Sequence, residues 1–165
     1  MNLRAWFLLL FLTLFLSACG FKMRGKAQLP PEMSHTRLII DDEYSIFARR
    51  VQVLLEQAGV EFVSTEKATA RLEVPQSEVV TEVLTIGDNA RVREYRISHT
   101  VKFRVVGKDG KDIIPLQTIR QTREISFDEQ QILSVSREQE YVKQDLANTL
   151  SRLLVSRLEV VGSQS

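Results

Sequence analysis

The side chains that could do chemistry in this sequence are few, and most of them stand alone. There is one cysteine, Cys19, and there are two histidines, His35 and His99. A single thiol excludes an internal disulfide and any zinc site built from several cysteines. Two imidazoles leave little material for metal ligation or acid–base work. His99 falls on the apolar phase of an alternating segment and reads as a half-buried packing residue, while His35 lies in a proline-flanked stretch without a partner in sequence. Asp41-Asp42-Glu43 could hold a hard cation, but helix capping and the positive end of a helix dipole account for it more simply. No phosphate-cradling glycine loop and no nucleophile elbow occurs, and no nucleophile–base pair is visible. Gly107–Asp112 is glycine-rich but lies between two strand patterns, as a hairpin does. These residues argue against an enzyme and imply neither a cofactor nor a metal.

One charge feature rises above background. The whole chain is balanced, with 22 Lys+Arg against 21 Asp+Glu and a formal net charge of +1. Between residues 91 and 123, however, nine cations meet only Glu94, Asp109 and Asp112. Arg96, Lys102 and Arg104 share one face of an alternating strand, and Arg120 joins them from the neighbouring strand if no bulge shifts the register. Arg91 and Arg93 extend the set toward the start of that strand. Guanidinium and ammonium groups on an open sheet suit phosphate, and arginine binds it bidentately. The plain alternative is a solvated polar face with no ligand. Nucleic acid is not expected, because no aromatic stacking pattern accompanies the cations.

The elements that must position these groups begin after an address. Arg4 precedes an apolar run from Ala5 to Leu16 in which only Thr13 is polar. That run is too short to span about 30 Å of hydrocarbon at about 1.5 Å per residue, and it suits the core of a secretory signal. Leu16-Ser17-Ala18-Cys19 looks like a bacterial lipobox, in which the thiol is acylated and the chain is cut just before it. Two or three acyl chains then give stable anchoring. Gly20, where an aspartate would stand in proteins retained at the inner membrane, favours the outer membrane by that same resemblance. Removing residues 1–18 takes away Arg4 and no carboxylate, leaving a formally neutral chain.

Residues 19–35 read as a lipidated N-terminus and tether, with Pro30-Pro31 and no sustained period. A single domain follows over 36–161, then a short tail over 162–165. Leu38-Ile39-Ile40 marks a short buried strand. Asp42 or Ser45 can cap a helix whose stripe is Phe47, Val51, Leu54, Leu55 and Ala58, ended by Gly59. Val60–Val63 is either a short extension or a strand. Three long strands come next, over Arg71–Ile86, Arg91–Val106 and Lys111–Phe127, joined by turns at Gly87-Asp88-Asn89 and Gly107–Gly110. Pro75 and Pro115 inside them require an edge, a bulge or a strand end. Asp128 and Gln131 resemble a capping box for a last helix reaching about Val160, with Ile132, Val135, Val142, Leu146, Leu150, Leu153 and Leu154 as its apolar stripe. The order implies an α+β two-layer sandwich: a sheet of about four mostly antiparallel strands, two helices on one face, and an open face carrying the cations.

Cys19-Gly20-Phe21-Lys22-Met23-Arg24-Gly25 resembles the opening of the LPS-assembly lipoprotein family, LptE. Arg93-Glu94-Tyr95 and the order strand, helix, three strands, long helix are similar to the same family, so the resemblance covers most of 19–165. A departure is the ending, soon after the last helix and without a long polar tail. The resemblance implies a lipoprotein of the cell outer membrane, facing the periplasm, in a one-to-one complex with the β-barrel LptD. It implies that the protein plugs the barrel lumen, assists lipopolysaccharide assembly at the surface and binds lipopolysaccharide. The family's ligand-contacting positions are not matched, so the candidate lipopolysaccharide-binding set is Arg91, Arg93, Arg96, Lys102, Arg104 and Arg120, taken from the charged face. The competing reading is an envelope lipoprotein that only scaffolds other complexes or peptidoglycan.

Overall fold

The computed structural model describes residues 29–86, 92–126 and 135–163, with Val92 and Arg93 placed by their backbone alone. A single turn of 3-10 helix, Pro31–Ser34, leads into β1, His35–Ile40. Helix α1, Ile46–Gln57, is capped by Ser45, whose Oγ accepts from the Ala48 amide at 3.1 Å. Asp42 instead closes the preceding turn, its Oδ1 accepting from the Tyr44 amide at 3.0 Å. Gly59, at φ +98°, supplies the left-handed residue that ends the helix.

Among the described residues, five strands form one sheet in the order β2-β1-β3-β4-β5. Val60–Val63 does contain a strand, β2 (Glu61–Phe62), and this two-residue piece accounts for five strands where about four are expected. It pairs in parallel with β1, and β1 pairs in parallel with the start of β3, Thr36 opposite Ala70 through Ile40 opposite Val74. The remainder is an antiparallel meander of β3 (Ala70–Ile86), β4 (Val92–Gly107) and β5 (Asp112–Ser126). Each internal proline sits where the ladder breaks. The register shifts between Glu73 and Gln76 around Pro75, and again opposite Phe103–Val105, where Pro115 lies in β5. A residue without an amide hydrogen is tolerated there because the ladder asks nothing of it.

The last helix, α2 (Val135–Gly162), turns Val142, Leu146, Ala147, Leu150, Leu154 and Leu158 inward. Asp128, Gln131 and Ile132, named above for its start, lie outside the described residues, as does the turn at 87–89. At about 1.5 Å per residue the 28 residues of α2 run roughly 40 Å, whereas the 12 of α1 run less than half as far. The two layers are therefore unequal. Next to β1, both helices cover the sheet and bury Phe47, Leu55, Leu72, Phe103, Leu150 and Leu154 in one core. Further along the meander α2 is the only helix among the described residues, and a small separate cluster of Ile97, Val142 and Leu146 forms with Ile125 at its margin.

Candidate functional site

Strand alternation places the charged face. Along β4, Ile97, His99, Val101, Phe103 and Val105 are buried toward the helices, so Arg96, Ser98, Thr100, Lys102 and Arg104 point to the opposite side, which no helix among the described residues covers. The register sets Thr100 beside Arg120 of β5, so Arg96, Lys102, Arg104 and Arg120 do share that side. Arg123, opposite Ile97, falls on the helix side and reaches Asp145 of α2 at 3.7 Å. Cys19 and Arg91 lie outside the described residues, and the side chain of Arg93 is not described.

The sign of the face differs from the sum over 91–123, because the neighbouring strands supply carboxylates that this window omits. Arg96 donates through Nε and Nη2 to Glu124 Oε1 at 2.9 and 2.7 Å. Arg104 donates through Nε to Glu73 Oε2 at 2.8 Å, with Nη2 2.7 Å from the same oxygen. Glu78 and Glu82 of β3 stand opposite Thr100 and Arg96. Cations and anions thus interleave, and each exposed pair contributes at most about 1 kcal/mol, so a competing phosphate can displace it. Two cations have no carboxylate partner among the described residues. Arg120 Nη2 donates to Ser98 Oγ at 2.9 Å, and Lys102, between Gln76 and Thr118, makes no ion pair among the described residues. The two are diagonal cross-strand neighbours, about 7–8 Å apart at such positions. Together they form the corner of the face best able to take an anion.

The histidines are placed apart from this corner. His35 is exposed at the start of β1, opposite Glu61 of β2, with Nε2 3.6 Å from Glu61 and Nδ1 3.2 Å from Ser34 Oγ. His99 is only 2% exposed, more deeply buried than expected, with its ring edge-on to Phe47 of α1. Ser77 Oγ lies 3.0 Å from its Nε2, a contact between strands that sequence spacing does not show. This pair lacks what a hydrolytic dyad needs. Nδ1 has no hydrogen-bond partner, so no carboxylate orients the ring, and desolvation by burial lowers the imidazole pKa from its ordinary value of 6.5. Among the described residues no three His, Cys, Asp or Glu side chains converge to hold a metal. An open cleft of about 450 Å³ at the base of the domain, lined by Leu29, Pro31, Met33, Ala58, Val60 and Gly162 among others, has no charged side chain in its lining among the described residues.

The sequence profile of the family described as LptE, lipopolysaccharide-assembly, matches residues 37–158. The chain belongs to the lipopolysaccharide-assembly family LptE. Its relatives include a protein of Pectobacterium atrosepticum named LPS-assembly lipoprotein LptE, 28% identical over 168 residues, 99% of this chain and 90% of that one. A protein of the same name in Yersinia enterocolitica is 28% identical over 164 residues, covering 98% and 78% of the two chains. Among solved structures, lipoprotein B of Nitrosomonas europaea superposes with a TM-score of 0.71 at 22% identity, covering 87% of this chain and 93% of that one. The rare lipoprotein B of Shewanella oneidensis does so at 0.67 and 21%, covering 79% and 97%. These two likenesses concern the fold, and they match the mixed sheet with two helices described above.

Proposed function

We propose that this chain is an outer-membrane lipoprotein, acylated at Cys19, that pairs one-to-one with the barrel LptD, occupies its lumen and assists lipopolysaccharide assembly at the cell surface. The family match over residues 37–158 carries this reading. Three features support it. The lipobox supplies a graft point for acyl chains. The open face of the sheet is polar and suits the polar interior of a large barrel. The Lys102–Arg120 corner offers two cations to the phosphates of a glycolipid. The family's description, lipopolysaccharide-assembly, supports a role in binding and assembly.

Detergent extraction of the tagged, full-length protein should recover a large β-barrel partner in equal amount; recovery of the lipoprotein alone overturns the reading. Replacing Lys102 and Arg120 together by glutamate should weaken lipopolysaccharide binding while thermal unfolding stays unchanged. Unchanged binding in the folded variant places the glycolipid site elsewhere. The scaffold-only reading draws on a specific observation, that Glu124 and Glu73 already engage Arg96 and Arg104. Depletion separates the two: surface lipopolysaccharide falls under the first and stays normal under the second.

A further inference from the structure

Among the described residues, the outer edge of β3 has no strand partner for most of its length. β1 pairs with β3 only from Ala70 to Val74. Beyond Pro75, no strand among the described residues lies against that edge, and every residue from Ser77 to Ile86 is exposed. A strand edge presents rows of main-chain N–H and C=O groups, and proteins ordinarily blunt such edges with proline, lysine, bulges or brevity. From Gln76 to Val83 none of these four is present, and the only charged side chains are Glu78 and Glu82. The stretch contains no proline or lysine, and it pairs with β4 without a register shift, from Gln76 opposite Lys102 to Val83 opposite Tyr95. Its side chains are also unusually apolar for a solvent edge, with Val79, Val80 and Val83 between 40% and 49% exposed.

The geometry points to β3 from Gln76 to Val83 as a docking edge for an extended segment of a partner polypeptide, which adds to the sheet as a further strand. Main-chain hydrogen bonds would hold it, and alternate side chains would select it. Glu78, Val80 and Glu82 alternate onto the open face, while Val79 and Val83 alternate onto the helix face, opposite His99 and Tyr95. The occupant is therefore a strand with lysine or arginine opposite the two glutamates and aliphatic residues on the other side. A second copy of this chain fits poorly. Antiparallel pairing centred on Val80 sets Glu78 against Glu82 twice, and directly opposed like charges destabilise a sheet. The inference does not depend on glycolipid binding, because that corner lies on Lys102 and Arg120.

The test uses the full-length lipoprotein in neutral detergent and a short synthetic peptide alternating valine with lysine. Binding should slow hydrogen exchange of the amides over 76–83. Methylating the peptide's backbone nitrogens, which removes its donors and leaves its side chains, should abolish binding. Exchanging Glu78 and Glu82 for lysine (E78K with E82K) should weaken the lysine peptide by about tenfold or more and confer binding of a glutamate counterpart. Binding indifferent to methylation or to charge exchange overturns the proposal, as does absence of protection over 76–83. Concentration-dependent dimers that protect the same amides overturn it in favour of a second copy. Should the E78K/E82K chain fail to fold, the methylated and unmethylated peptides on the unaltered protein still decide the question. Lipopolysaccharide binding, measured on the same samples, is expected to be untouched by the peptide, so failure here and failure of the glycolipid reading are separable.

Discussion

The two ends of the meander are built from the same three strands but live in different surroundings. Near β1, the sheet is five strands wide and both helices cover it, so Leu72, Phe103 and Leu150 are fully buried. Toward the other end, among the described residues, the sheet narrows to three strands, α2 alone covers it, and Val79, Val83 and Ile86 are exposed. The base is a conventional hydrophobic core. The projecting half keeps its ladder with little apolar burial, a composition that suits surface meant for contact with another molecule. His99 lies at the junction, its ring against Phe47 from the base and its Nε2 beside Ser77 of the free edge.

The largest effect should come from truncation at the base. Phe103→Ala leaves a cavity in the main core and should cost about 3–5 kcal/mol in urea unfolding. Ile97→Ala, in the small distal cluster, should cost about 2 kcal/mol, because fewer neighbours surround it and solvent can fill the gap. Equal costs would break the distinction between the two ends.

The junction gives the next effect through pH. Above pH 6.5, His99 is neutral in both the folded and the unfolded chain. Below it, the unfolded chain takes up a proton that the buried ring resists, because burial lowers its pKa. Stability should therefore fall as pH drops below 6.5, at up to about 1.4 kcal/mol per pH unit, and level off beneath the lowered folded value. Comparing the protein with His99→Gln isolates this slope, and identical pH profiles would show that the ring is not sequestered.

A smaller effect tests the β4–β5 turn, which belongs to the base. Gly110 sits at φ +81° and its amide donates to Gly107 O at 3.0 Å. Gly110→Ala should cost about 1 kcal/mol from backbone conformation alone, since nothing lies within 4 Å of an added Cβ. The smallest effect should come from Arg123→Ala, which removes an exposed ion pair to Asp145 between distal sheet and helix. Under 1 kcal/mol is expected, weakening further with salt; a larger loss would mean that charge pairing, more than apolar contact, holds α2 to that end.

Much of this architecture was legible in the residues. The alternation from Tyr95 to Val105 assigned the two faces of β4, and Pro75 and Pro115 marked the irregular points of the ladder. The stripe from Phe47 to Leu55 located α1, and that from Val142 to Leu154 located α2. The parallel seating of β1 beside β3 was not legible, nor was the pairing of β2 with β1, because a two-residue strand carries no period. The charged face was half legible. Its four cations fall on one side as alternation requires, but their partners come from elsewhere in the chain, Glu73 lying 31 residues from Arg104 and Glu124 lying 28 from Arg96. Counting charge along a window of sequence misses neutralisation that occurs across strands.

What the chain alone determined is local: where each strand and helix runs, and which way each side chain turns. What only the tertiary structure decided is relational: which carboxylate meets which guanidinium, that Ser77 stands beside His99, and that β3 outruns its neighbour β1. The physical reason is the range of the forces involved. Side-chain alternation follows from the geometry of consecutive peptide units, whereas an ion pair or a free edge depends on register between segments that the sequence places far apart.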